Sequence, residues 1–252
     1  EMPGIREPER VRKLLQGSAN LEFWETFNSD EIVPYLVQLD QRLANGETTA
    51  DTTAVADTAK VAKAAEPKLE LNPNNKGNAK LNVTDEAKIA EAKRAHPLLS
   101  MLQTTGNGAL ALVGFASVRD TAEINKAIYS ATAKQVLPSD LKLMWSAKPE
   151  DGIKAKNVYG LYAIKVTTAN GRAPLEGDVI TDAKDQFNSV TGAPEVGMTM
   201  NTEGARRWAA LTKANTGKAI AIVLDGVVYS APRVNGEIDG GQSSISGSFT
   251  IE

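Results

Sequence analysis

Four groups of residues have types and spacings that could do chemistry. His96 could act as a base, a role that normally needs a serine or carboxylate partner. It precedes Pro97 at the expected end of a helix, and so reads as a helix-terminal or surface histidine. Asp178, Asp182 and Asp185 in "GDVITDAKDQF" recur at four and three residues, and on a helix they would share a face. Calcium would want the EF-hand spacing and its glycine, both missing, so these acids read as a solvated face. Gly217-Lys218 in "TKANTGKA" suggests a phosphate loop, but that motif needs glycine where Thr212 stands and Ser or Thr where Ala219 stands. It also needs a strand before and a helix after, and here the order is reversed. Arg206-Arg207 could take an anion, yet between Ala205 and Trp208 they read as the wet side of an amphipathic helix.

With no cysteine and one histidine, disulfides, thiol catalysis and zinc sites are excluded together. Acids are plentiful, so a carboxylate pair for hydrolysis stays open. Aromatic residues make up only 5% of the chain, little material for a carbohydrate platform. No catalytic, cofactor or metal residue is assigned. The reading from residues alone is a non-enzymatic interaction or mechanical module. An envelope hydrolase with a carboxylate pair and a periplasmic small-ligand-binding domain are the alternatives. A net charge of −3 and the lack of any basic run argue against a nucleic-acid partner. The longest apolar run, "ALALVGFASV" (109–118), is far short of the roughly 20 residues that span a bilayer. The start "EMPGIREPER" lacks the basic-then-apolar order of a signal peptide and reads as a cut from a longer chain.

The elements that must position these residues follow from periodicity. Glu7-Pro8 opens a helix with Val11, Leu14 and Leu15 on one side. "ANLEFWETF" (19–27) alternates as a strand. Ser29-Asp30 caps a second helix with Ile32, Leu36, Leu39 and Leu43 as its stripe and Pro34 in its first turn. From Gly46 to about Asn82 the chain is Ala/Thr-rich and then turn-forming, a low-complexity linker or insert with too little apolar surface to offset its ordering entropy. Asn82-Val83-Thr84 matches a glycosylation sequon by chance. A helix from Thr84 to about Ala95 follows, then a strand at 109–118, a helix that Asp120 caps and that runs through Tyr129, and strands at 141–147, 158–166 and 194–201. Asn201 caps a helix running to Asn215, with Gly217 ending it.

"AIVLDGVVYSAPRV" then reads as a hairpin about a type I′ turn at Asp225-Gly226. That register sets Leu224 opposite Val227 and Ile222 opposite Tyr229. Large residues fill one face, while Ala221, Val223 and Val228 make a small-residue face on which a helix could lie close. Pro232 ends the run, and Gly240-Gly241 precede a last short strand in "SSISGSFT". The element order fits an α+β fold.

The blocks "GDVITDAKDQF", "NTEGARRWAALTKANTGKAIAIVLDGVVYSAPRV" and "IDGGQSSISGSFTIE", with "MPGIREPERVRKLLQGSANLEFWE" near the start, resemble the first periplasmic domain of the SecD protein-export family. Together they cover roughly half the chain; the stretch from about 45 to 150 departs from the family. The resemblance implies a ferredoxin-like base with an inserted α+β head. Residues 1–44 would be a base portion, 45–82 a linker or insert, 83–169 a middle region joining base and head, and 170–252 the head. Asp225, Gly226, Pro232, Gly240 and Gly241 are the structural residues of its motifs. The base would lack a strand before Met2 and a helix after Glu252. The implied setting is the periplasmic side of the bacterial inner membrane. SecF and the SecYEG channel would be partners, unfolded secretory polypeptide the bound species, proton-gradient-driven movement of the head the mechanism, and no cofactor would be needed.

Overall fold

The computed structural model of the protein describes residues 20–46, 91–106, 110–150, 157–187, 192 and 194–246. The first expected helix, the low-complexity stretch from 47 on and the Asn82 sequon lie outside them. Strand β1 (Leu21–Thr26) alternates as its aromatic and β-branched residues favour, yet both of its faces are buried: Leu21 and Phe23 on one, Trp24 and Thr26 on the other. The chain then enters helix α1 (Ser29–Ala44) through Asn28, whose backbone N–H donates to the Glu31 carboxylate at 2.8 Å. Ile32, Leu36 and Leu39 are its buried stripe. Pro34 is the sixth helical residue rather than a first-turn one, so its missing N–H leaves the Asp30 carbonyl without a helical donor.

Residues 91–95 are helical. They lead through a turn to β2 (Gln103–Thr104), β3 (Leu112–Ser117), α2 (Thr121–Ile128), α3 (Ala131–Val136), β4 (Leu141–Trp145) and β5 (Val158–Lys165). Asp120 precedes α2 in a helical conformation (φ −94°, ψ −11°) and makes no capping bond, contrary to the expectation from sequence. The true side-chain cap is at α3, where the Ser130 hydroxyl accepts from the Ala133 N–H at 3.1 Å. Beyond these come β6 (Leu175–Glu176), β7 (Ile180–Phe187), β8 (Pro194–Met200), α4 (Thr202–Ala214), β9 (Ile220–Leu224), β10 (Val227–Ser230) and β11 (Gln242–Ser246).

Helix and sheet are thus mixed, in two sheets. The small one is β11–β8–β7, wholly antiparallel. The large one runs β10–β9–β1–β5–β3–β2, with β4 on the second edge of β5 and β6 beside β1. Its strands β10, β9, β1, β5 and β4 curl until the ends meet. Ser146 of the segment after β4 bridges Val228 of β10, and the Ala147 N–H donates to the Val228 carbonyl at 2.7 Å. Inside this ring lie Trp24, Met144, Ile164, Ala221, Val223 and Val228. Outside it, α1, α2 and α3 cover one core with Leu161, Ala163 and Leu143, while α4 and the small sheet cover another with Leu21, Phe23, Ile220, Ile222 and Leu224.

The hairpin departs from its sequence reading in three ways. Asp225 (φ 50°) and Gly226 (φ 82°) make the expected turn and Leu224 faces Val227, but a bulge after Val228 puts Ser230, not Tyr229, opposite Ile222. Pairing also continues past Pro232, whose carbonyl accepts from the Ile220 N–H, and Val234 donates to the Lys218 carbonyl at 2.8 Å. Proline lacks a donor but keeps its acceptor, so it does not end the ladder. Finally, the helix lies on the large-residue face, where Trp208 meets Phe23 edge-on with ring centroids 5.2 Å apart. The small residues face the ring interior instead, where a narrow ring leaves room for little besides the Trp24 indole directly opposite Ala221. Replacing Ala221 by leucine is therefore expected to cost about 1–3 kcal/mol by overpacking. Urea unfolding of the variant checks this, and an unchanged midpoint would show that the ring holds spare volume.

Candidate functional site

The outer face of the small sheet is polar and partly to fully exposed. Its inner face buries Ala183, Met198 and Ile245 toward α4. By the antiparallel register, Asp182, Thr199 and Gln242 share the opposite face, as do Lys184, Gly197 and Ser244. Lys184 pairs with Asp182 at 2.8 Å, and the Gln186 amide donates to Glu195 at 2.7 Å. Gly197 sits under Gln186: a Cβ there would lie 2.7 Å from the Gln186 amide oxygen. The result is a flat, small-featured polar face.

The acids singled out from sequence do not gather. Asp178 lies in a short 3₁₀ turn (Gly177–Val179), and Asp182 and Asp185 are on a strand, three residues apart and so on opposite faces. The helical spacing misled because β7 carries alternating charge where a strand on a buried sheet would show apolar residues. Among the described residues no three His, Asp or Glu side chains are close enough to hold a metal. Arg206 pairs with Glu203 one helical turn away at 3.0 Å, and this contact draws the Glu203 carboxyl below the usual range. Arg207 donates to the Pro174 carbonyl. Gly217 (φ +84°) leads into a strand, and its N–H donates to the Val234 carbonyl, a turn rather than a phosphate cradle. Burial, then the Glu150 carboxylate that accepts its hydroxyl at 2.9 Å, pushes the Tyr162 phenol well above the usual tyrosine range.

His96 does have a carboxylate partner, one that sequence reasoning missed. Its Nδ1 lies 2.8 Å from Asp40 Oδ2, and Asp40 Oδ1 accepts from the backbone N–H groups of Leu98 and Leu99 at 2.8 and 3.0 Å. Asp40 is buried while the His96 ring is 63% exposed. The signal was available: Asp40 follows Leu36 by one helical turn and so interrupts the apolar stripe of α1. Among the described residues no hydroxyl nucleophile is bonded to the imidazole; the pair fastens the turn at 97–101 onto α1.

A family model described as "SecDF, P1 head subdomain" matches residues 160–252. Protein translocase subunit SecD of Rhodothermus marinus is 39% identical over 253 residues, an overlap covering 98% of this chain and 36% of that protein. The chain belongs to the SecD family. A second relative, protein translocase subunit SecD of Desulfurispirillum indicum, is 49% identical over 30% of this chain and 15% of its own length. A solved structure of SecDF, described as a membrane component that enhances protein export, covers 92% of this chain and 87% of its own at 24% identity, with a TM-score of 0.31. This SecD chain thus spans about a third of its Rhodothermus relative. No described helix is long and apolar enough to cross a membrane.

Of the five residues that the resemblance marks, Pro232 lies on the continuing ladder of the hairpin and the other four fall at two places. Asp225 and Gly226 form the hairpin tip, and the Asp225 carboxylate accepts from the Asn20 N–H at 3.1 Å, tying the tip to the start of β1. Gly240 and Gly241 turn the chain into β11 at φ +76° and +70°. The Gly241 carbonyl accepts from Met200, and a Cβ on Gly241 would lie 2.7 Å from that of Ala205 in α4. Around Gly240 there is open space. Gly240→Ala should cost about 1–2 kcal/mol from its left-handed backbone alone. Gly241→Ala should cost about 1–3 kcal/mol more, because α4 must shift; equal losses by denaturant unfolding would show that the close approach does not matter. At the other pole, Asp40→Ala should lose about 1–3 kcal/mol by leaving the buried Leu98 N–H without its acceptor. His96→Ala should lose under about 1 kcal/mol, since its ring is mostly in water; the reverse order in thermal unfolding would make the histidine the anchor.

Proposed function

We propose that this chain is the first periplasmic domain of a Sec translocon accessory subunit, and that it binds emerging secretory polypeptide and assists its export without catalysing any bond change. The observation that carries the reading is the 39% identity to a protein translocase subunit SecD across 98% of the chain. The polar sheet face supports it: paired charges, serines and a glycine offer contact and hydrogen bonding. The base would be ferredoxin-like, and SecF and SecYEG would stand beside it at the inner membrane. The head would be the small sheet with α4, within the segment 160–252 matched as a SecDF head, and it would move at the expense of the proton gradient. Asp225, Gly226, Pro232, Gly240 and Gly241 would shape that head without touching chemistry. Across the proposed boundary near residue 170, β9 of the later segment pairs along β1.

The test places photo-crosslinking side chains at Lys184 and Gln242 on the head face and, as control, at exposed Lys134 of α3, in cells arrested while exporting a secretory protein. Adducts to the exported chain at the first two positions and none at the third are expected, with yields changing when the proton gradient is collapsed. Absence of adducts at every head position would sink the reading.

A further inference from the structure

We propose that the outer edge of β11 receives an extended polypeptide as an added strand of the small sheet, recognising its backbone rather than its side chains. The inference rests on the function proposed above and supplies its mode of contact. Among the described residues the small sheet has two edges, β7 and β11. An unpaired edge is a template for another strand, and proteins that must prevent this place charges there. β7 is guarded: Asp182, Lys184 and Asp185 lie along it. β11 is not: Gln242, Ser243, Ser244, Ile245 and Ser246 carry no charge.

The hydrogen-bond phase shows which groups are offered. The Met200 N–H donates to the Gly241 carbonyl at 2.8 Å, and Gln242 faces Thr199. In an antiparallel ladder bonded and non-bonded pairs alternate. Ser243 and Ile245 therefore turn their N–H and C=O toward β8, and Gln242 and Ser244 turn theirs away from it. The side chains of Gln242 and Ser244 are exposed and uncharged, and their neighbours across the sheet are Thr199 and Gly197. An arriving strand would meet backbone donors and acceptors beside a small polar surface. Recognition of this kind draws its affinity from main-chain bonds and its selectivity from side-chain pockets, and the described neighbours of this edge, Thr199 and Gly197, are small. The occupant that fits is an extended, unfolded chain of unrestricted sequence.

The 252-residue chain is tested with a labelled peptide of alternating threonine and glutamine, and with a twin N-methylated at every second residue, by fluorescence anisotropy. The unmethylated peptide should bind. The twin, and the Ser244→Pro variant, should each weaken binding about tenfold, as expected for losing one or two backbone hydrogen bonds. Because the Ser244 N–H points away from β8, proline there removes no bond of the sheet. Should Ser244→Pro not fold, Ser244→Lys keeps the backbone and adds an edge charge, and it too should weaken binding. Binding indifferent to N-methylation and to both substitutions would overturn strand addition while leaving the proposed function standing. No binding of either peptide by the unsubstituted chain would overturn both. A dimer in sedimentation that Ser244→Pro dissolves would assign the edge to a second copy of this chain and also overturn the proposal.

Discussion

The fold depends on strand β1 being buried on both faces and paired along both edges. Phe23 points into the core shared with α4, and Trp24 points into the ring. One edge carries β9 over five residues; the other carries β6 and then β5. Six residues thus join the interior of the ring to the core beneath α4. A fully buried large side chain contributes roughly 1.5–3 kcal/mol, so the two aromatic residues alone account for several kcal/mol. The Trp24 indole also needs a partner for its N–H, which it finds in Glu22 at 2.9 Å, and Lys142 closes over its ring at 5.5 Å.

From this follows the composition of β9 and β10. Their alternation places Ile220, Ile222 and Leu224 outside the ring against α4, and Ala221, Val223 and Val228 inside it. The interior of a small ring is filled by few side chains: Trp24, Met144 and Ile164 take the large places, and the hairpin contributes only alanine and valine. The bulge after Val228 increases local twist and bends β10 where Val228 meets Ser146 and Ala147, so the irregularity and the closure coincide.

Much of this was legible in the sequence. Period-2 runs marked β1, β3, β4, β5 and β8 to within a few residues, because strands buried on one or both faces leave a strong apolar signal. Asn201 and Asp225-Gly226 were legible because their chemistry is local: a side-chain oxygen 2.8 Å from the Gly204 N–H, and a pair that tolerates positive φ. What failed was non-local. Ring closure decided that α4 would pack on the large face of the hairpin. β7 is an edge strand of a half-exposed sheet, so its charges gave a helical spacing for Asp178, Asp182 and Asp185. Asp40 meets its partners only through the returning chain, which brings His96 and the Leu98 and Leu99 N–H groups from 56 to 59 positions later.

The same packing limits how the head can move in the proposed mechanism. Trp208 and Leu211 of α4 share a core with Phe23 of β1 and with Ile220 and Ile222 of β9. Turning α4 and the small sheet away from that core would expose an indole, a phenyl ring and several aliphatic side chains. Each would lose roughly 1.5–3 kcal/mol, a total comparable with the whole stability of a domain. A reorientation that keeps the head folded must therefore carry β1 and β9 with it. In that mechanism the flexing point would lie where β1 and β9 meet the rest: the short pairing of Glu25 and Thr26 with β5, and the single bridge between Ser146 and Val228. These contacts pair the fewest residues in the ring, so a boundary between moving and fixed parts would fall through the large sheet and not at a linker.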